Sequence, residues 1–277
     1  MKTWGIIANR HRPGAESVVR ELVIWLKDHG ISPVVEDVFK ISGAACLPES
    51  EAARAGEILL ALGGDGTILR AVRLMGVEQR PILGINLGSL GFLTATSQER
   101  MWQTLELVAR GRYAIEERSL IKTEVQGRPI YALNDFDIRV PTKLVELTVS
   151  VDEEQVSRYF ADGLLVSTPT GSTAYSLAAG GPIVEPTMEV FVITPICPHT
   201  LSIRPMIVPM AKRVQVDVHG KQEEVVLVAD GRREAGLQDE QRLVISRAEH
   251  KALMVKPSGT SFYQILRAKL KWGARGE

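Results

Sequence analysis

Apolar positions in the first hundred residues alternate between short continuous runs and a helical period. Trp4 to Ala8 has the pattern of a buried strand and is followed by an Arg12-Pro13-Gly14 turn. Val18, Val19, Leu22, Val23 and Leu26 then recur at helical spacing, and Gly30 stands where a helix C-cap is expected. Ile31 to Val35, Ile58 to Leu62 and Ile82 to Ile85 predict three more strands, with a helix over Thr67 to Met75 between the last two. This alternation of strand and helix is the rhythm of a doubly wound parallel sheet. A further helix, capped by Ser97 and running to about Ala109, carries an apolar stripe of Met101, Leu105 and Val108.

Beyond that helix the period changes. From Leu120 to Val255 the apolar segments are short, β-branched and alternating, as in Leu147 to Val151, Val214 to Val218 and Val225 to Val228. They predict a β-sandwich-like domain. Phe262 to Trp272 returns to helical spacing through Phe262, Ile265, Leu266, Lys269 and Leu270. The expected class is α/β plus all-β, with an α/β domain over residues 1–100, a β-rich domain over 101–277 and a C-terminal helix.

Charge narrows the possible partners. Lys plus Arg and Asp plus Glu number 33 each in 277 residues, so no global field steers the chain onto nucleic acid or an anionic membrane. Any anion must be held by a local site. No apolar run approaches the ~20 residues of a membrane span, and the first one meets Asn9, Arg10, His11 and Arg12 before it is long enough for a signal peptide. A cytoplasmic setting is expected. Cys46 and Cys197 have no metal-ligand spacing and are expected to be buried, inert thiols in a reducing compartment. His11, His29, His219 and His250 are scattered, so no protein-held metal site is expected.

Gly63-Gly64-Asp65-Gly66-Thr67 sits between a predicted strand and a predicted helix. Glycines there let phosphate oxygens approach bare N–H groups, and the helix start adds unpaired donors. The same letters also suit a tight turn with Asp65 or Thr67 as N-cap. Asp65 favours the chemical reading, because a carboxylate in a phosphate cradle repels its ligand unless it serves a metal or accepts a proton. Arg70, one helical turn on, is either a compensating charge or a solvated surface arginine. Neither the P-loop nor the GxGxxG fingerprint is present.

The second unusual stretch runs from Asp162 to Pro182. A strand at Leu164 to Ser167 enters a Thr-Pro-Thr-Gly-Ser turn and then a short helix at Thr173 to Ala178, which offers hydroxyls and N–H groups to a polar ligand or simply closes a β-domain. Cys197 and His199 share a face only if their segment is a strand, and a structural hydrogen-bonding role for His199 is expected over a nucleophilic one.

Gly63 to Thr67, Asn134-Asp135, Asp162 to Pro182, Thr194 to His199 and Arg204-Pro205 occur in the order and spacing of the NAD kinase family, which the chain resembles along its whole length. Lipid kinases and phosphofructokinases carry glycine-aspartate loops like the first motif, and the Thr168–Pro182 run and the Thr194–His199 segment are far more specific. The resemblance implies an N-terminal Rossmann-like domain, a C-terminal β-rich domain, and a dinucleotide site in the crevice between them. It also implies NAD as acceptor, ATP or polyphosphate as donor, a divalent cation such as Mg2+ carried with the donor, and a homodimer or homotetramer. By position, Asp65 matches the general base; Gly63, Gly64, Gly66, Thr67 and Arg70 match loop contacts; and Asn134 and Asp135 match an Asn-Glu pair. Asp162 matches an Asp-Gly contact, and Thr170 with Thr173, Ala174, Tyr175, Ser176, Leu177 and Ala178 matches the dinucleotide-binding turn.

The chain departs from the pattern at Asp135, where Glu is usual, at Phe160 for Arg, at Arg232 for Gln, and at Ile203 for a polar residue. Two other readings compete. A lipid kinase would need a membrane-binding face, and no basic amphipathic helix is present to supply one. A non-catalytic dinucleotide sensor would have little use for Asp65.

Overall fold

The computed structural model describes residues 2–88, 91–140, 144–219, 225–257 and 261–271. Its first ten elements are β1 (Lys2–Ala8), α1 (Ala15–Asp28), β2 (Ile31–Glu36), β3 (Ala45–Leu47), α2 (Glu49–Arg54), β4 (Ile58–Gly63), α3 (Asp65–Met75), β5 (Ile82–Asn86), β6 (Thr96–Ser97) and α4 (Met101–Ala109). There follow β7 (Tyr113–Val125), β8 (Arg128–Ala132), β9 (Asp135–Arg139), β10 (Val145–Val151), β11 (Glu154–Ala161), β12 (Gly163–Ser167), α5 (Tyr175–Ala178), β13 (Val190–Ile196) and β14 (Met206–Pro209). The last are β15 (Val214–His219), β16 (Val225–Ala229), β17 (Arg232–Leu237), β18 (Arg242–Pro257) and α6 (Phe262–Leu270).

The chain forms two compact units, residues 1–117 with 252–277, and residues 118–251. In the first, β1 pairs in parallel with both β2 and β4, β2 with β3, and β4 with β5. The strands read as continuous apolar runs because helices cover the sheet. Trp4, Ile6, Leu60, Leu62 and Ile85 pack with Val19, Leu22 and Leu26 of α1 and with Met101, Leu105 and Val108 of α4. In the second unit an antiparallel sheet in the order β14-β13-β12-β9-β16-β17 faces strands ordered β11-β10-β15-β18. Phe136, Leu164, Phe191 and Leu227 share one core with Leu147, Val149, Val216 and Leu243, the arrangement of a sandwich.

The α/β plus all-β class is as expected, whereas several details differ. The units do not divide at 100/101: Val108 and Tyr113 pack on the first core, and so does Val255 near the end of β18. The helix α6 belongs to the first unit and begins with a capping box of Ser261 and Gln264; Trp272 lies outside the described residues. The β3 and α2 segments, three and six residues long, are too short to show a period. The thiols of Cys46 and Cys197 are free and exposed rather than buried, because β3 is an edge strand and Cys197 lies just past β13 with φ of 46°. Among the described residues no helix is long and apolar enough to cross a membrane.

Candidate functional site

The glycine loop is the junction of β4 and α3. Gly63 has φ of +156°, and a Cβ there would lie 2.1 Å from the Thr67 hydroxyl, so no larger residue fits. Its carbonyl accepts from Leu87 N at 3.0 Å, and Thr67 N donates to the Gly64 carbonyl at 2.9 Å. Asp65, half-buried at the first position of α3, is held through both carboxylate oxygens. Oδ2 accepts from Phe92 N at 2.8 Å and Oδ1 from Leu93 N at 3.0 Å. A Cβ on Gly91 would lie 1.9 Å from Oδ1, so this approach of backbone to carboxylate requires glycine.

A concavity of about 400 Å³ opens beside the loop, lined by Asn9, Arg12, Gly64, Gly66, Thr67 and Arg70. Arg70 is not a solvated surface arginine. Its Nη2 donates to Glu36 Oε1 at 2.5 Å and to the Ala8 carbonyl at 3.3 Å, while Nη1 lies 3.8 Å from Glu49 Oε2. Glu36 is buried, and its Oε1 also accepts from Ala8 N at 2.8 Å. Burial raises the Glu36 pKa, and the Arg70 charge works against that rise.

Asn9 and Arg12 are additions to the residues expected from the sequence. The Arg12 guanidinium nitrogens lie 3.2 Å from where a Cβ of Gly88 would be, so the side chain rests over that backbone. Their signal in the sequence was position alone. They follow the carboxyl end of β1, the neighbour of β4, and that edge is where open α/β sheets bind ligands.

In the second unit, Asn134 and Asp135 lie at the start of β9, and the Thr-Pro-Thr-Gly-Ser turn is brought against them. Thr168 N donates to the Asn134 carbonyl at 2.8 Å, and a Cβ on Gly171 would lie 2.0 Å from that oxygen. Asp135 is buried, and its carboxyl is pushed up to about 7, first by burial and then by the charges of Asp230 and Asp137. Asp137, two residues along the same strand, is pushed up to about 6 by burial despite Arg139 Nε at 3.2 Å from Oδ2. Asp162 is exposed at the far end of β12, where Gly163 faces Arg139 while Ser167 faces Asp135. At about 3.3 Å per residue this places it roughly 15 Å along the sheet from Asp135.

The turn is a 3-10 segment, Thr170–Thr173, followed by α5, rather than one helix from Thr173. Its hydroxyls largely hold the loop to itself. Ser172 donates to the Pro169 carbonyl at 2.7 Å and accepts from Val184 N at 3.0 Å, and Ser176 pairs with Thr194 at 2.9 Å. Thr170 accepts from Arg118 at 3.3 Å, and Thr173 donates to the Thr170 carbonyl at 3.3 Å. Thr173, Ala174, Tyr175, Leu177 and Ala178 retain exposure. His199 bonds through its backbone, whose N–H donates to the Phe160 carbonyl at 2.9 Å. With Cys197 in the left-handed region, the segment is no strand and the two side chains form no pair.

Comparison with known proteins gives a consistent family. A model of the ATP-NAD kinase N-terminal domain matches residues 4–113, and one of the ATP-NAD kinase C-terminal domain matches residues 135–257. The NAD kinase of Solibacter usitatus is 38% identical over 99% of this chain and 99% of its own length. That of Moorella thermoacetica is 40% identical over 99% of this chain and 90% of its own. An NAD kinase from Archaeoglobus fulgidus, solved in complex with ATP, has 25% identity and a TM-score of 0.80, covering 97% of this chain and 98% of that one. A yeast NADH kinase complexed with NADH shares the fold at 24% identity, with a TM-score of 0.91 over 100% of this chain and 89% of its own.

Proposed function

The chain belongs to the NAD kinase family, and on that premise we propose that Asp65 is the general base in the transfer of a terminal phosphoryl group to NAD. NAD is converted to NADP at the 2′-hydroxyl of the adenosine ribose. The hydroxyl oxygen attacks the terminal phosphorus in line, the bond to the bridging oxygen breaks, the shortened donor leaves, and the hydroxyl proton passes to Asp65. Such transfer depends on positioning and charge neutralisation more than on covalent help. The carriage of Asp65 supports the role: each oxygen accepts one backbone N–H, which fixes the carboxylate and leaves a lone pair on each for a substrate hydroxyl. Orientation of the hydroxyl and late proton acceptance are its contributions.

The concavity beside the loop is assigned to donor phosphates. Bare N–H groups at the start of α3 supply partial positive charge, Arg12 supplies full charge, and Arg70 adds N–H donors while sharing its charge with Glu36. On the family resemblance, a divalent cation such as Mg2+ is assigned to the donor phosphates, whose charge it would neutralise when bound. Asn134, Asp135 and the exposed part of Thr173–Ala178 are assigned to NAD, and Asp162, given its place at the far end of β12, to a separate contact. Polyphosphate as an alternative donor and a homodimer or homotetramer complete the proposal on the strength of the family resemblance, with a cytoplasmic setting on the strength of the cysteine usage.

The test is NADP formation by the wild-type protein and Asp65→Asn with NAD, magnesium and either ATP or polyphosphate. Turnover lost in the variant while NAD still binds is the expected result. Unchanged turnover removes Asp65 from the chemistry.

A further inference from the structure

Every backbone polar group of residues 133–135 is engaged, and one side chain takes three of the six. The N–H groups of Leu133, Asn134 and Asp135 all donate to the Asp230 carboxylate, at 2.9 Å to Oδ2 and at 2.7 and 3.3 Å to Oδ1. Asp230 N donates to the Asp135 carbonyl at 3.1 Å. From the other flank Thr168 takes the two remaining carbonyls, its hydroxyl donating to Leu133 at 2.5 Å and its N–H to Asn134 at 2.8 Å. Three consecutive amides converging on one carboxylate is the arrangement proteins use to bind an anion, here filled by a residue of the chain itself.

The turn itself gives Asp230 a different reason to be there. Asp230 and Gly231 have φ of 49° and 77°, two successive left-handed residues joining β16 to β17, and Asp-Gly is the usual choice for such a hairpin turn. Turn formation does not need the carboxylate, since asparagine occupies this conformation at least as readily. Turned back onto the neighbouring strand, the carboxylate therefore has a second role.

We propose that Asp230 is a positioning residue for dinucleotide binding, clamping the backbone of Leu133 to Asp135 so that the Asn134 and Asp135 side chains meet NAD in one fixed geometry. The proposal rests on the reading of this pair as part of the NAD site. Among the described residues the Asn134 carboxamide makes no hydrogen bond of its own, and it is half-buried. A side chain without an internal partner is aimed only by its backbone, so loosening that backbone costs binding directly.

Asp230→Asn separates the two roles. It keeps the turn but replaces one acceptor oxygen by an NH2 that faces N–H donors. Calorimetric titration of the full chain with NAD at pH 8, alongside steady-state kinetics, is expected to show Kd and KM for NAD raised about tenfold or more. A pH series supplies a readout that general loosening would not move. Asp135 is faced by Asp230 from the β16–β17 turn and by Asp137, itself paired with Arg139, on its own strand. Loss of the Asp230 charge lowers the Asp135 pKa, so the acid limb of NAD binding moves to lower pH.

Thr168→Val loosens the same segment without changing a charge. It is expected to weaken NAD binding with the acid limb in place, and it carries the test if Asp230→Asn does not fold. Asp230→Asn with Kd within twofold of wild type overturns the proposal, as does weakened binding with an unmoved acid limb, or a folded Thr168→Val with wild-type Kd. Wild-type protein that neither binds NAD nor forms NADP overturns the parent reading, and this proposal with it.

Discussion

Two aspartates in two regions of the molecule are treated in opposite ways. Asp65 stands at the start of α3, half-buried, with a backbone N–H on each oxygen. Asp135 stands at the start of β9, buried, with two other carboxylates as its charged neighbours and a carboxyl pushed up to about 7. The surroundings of the first fix its direction. Those of the second penalise the anion. A group that must face a reacting hydroxyl gains from being held in place, whereas the second carries its charge at a cost that donors from a ligand would offset.

The largest effect comes from the anchored carboxylate. Asp65→Asn is expected to lower kcat by about 10²–10⁴-fold, the usual worth of a positioned base, with NAD affinity nearly unchanged. The next comes from the anchor itself. Gly91→Ala puts a methyl group 1.9 Å from where Asp65 Oδ1 lies, so carboxylate or loop must move. A displacement of about 1 Å at a reacting group is worth up to about 10²-fold, and kcat is expected to fall by roughly tenfold to a hundredfold with the protein still folded. Normal turnover in Gly91→Ala would show that the direction of Asp65 does not matter.

A third prediction concerns the arginine beside the loop. Glu36→Gln keeps the shape of the side chain that ties Arg70 to the end of β1 but removes its charge. Breaking a buried pair from one side costs about 3–5 kcal/mol, and the 25% exposure of the Arg70 side chain lets water recover part of that. A loss of about 2 kcal/mol is expected in urea unfolding, with KM for the phosphate donor raised more than kcat is lowered. Equal effects on both parameters would detach Arg70 from donor binding.

The fold was legible because its main elements are long and strongly periodic. Trp4 to Ala8, Ile58 to Leu62 and the stripe from Val18 to Leu26 each declare their period within a few residues. The Asp65 loop was legible as a strand-to-helix junction because its glycines mark a tight turn after an apolar run. Local pattern failed where the deciding contact is distant in sequence. Phe92 and Leu93 hold Asp65 from 27 and 28 residues away, and Glu36 holds Arg70 across 34. Asp230 reaches Asn134 across 96, and nothing in an Asp-Gly turn announces it. The hydroxyls of the Thr170–Ser176 turn leave two readings open because a sequence does not say which way a hydroxyl points; Ser172 and Ser176 point inward, to Pro169 and Thr194.

The smallest expected effect concerns stability, and it runs against function. The Asp135 carboxyl has its pKa raised on folding from 3.8 to about 7. A raised carboxyl contributes stability that is fully present below its unfolded pKa and is lost as pH rises through the folded one. Between about pH 4 and pH 7, wild-type protein therefore gives up stability at this position, because burying the anion costs more than exposing it. The shift sets a ceiling of about 4 kcal/mol at pH 8. Asp135→Asn has no charge to bury, although its amide must still find partners, so a net gain of about 1–2 kcal/mol at pH 8 is expected, shrinking toward pH 5. The same variant is expected to bind NAD more weakly. Urea unfolding at both pH values, with calorimetric titration at pH 8, reads the two together. A variant no more stable than wild type at pH 8 would mean that the buried carboxylate already has donors in the free protein, and the contrast with Asp65 would disappear.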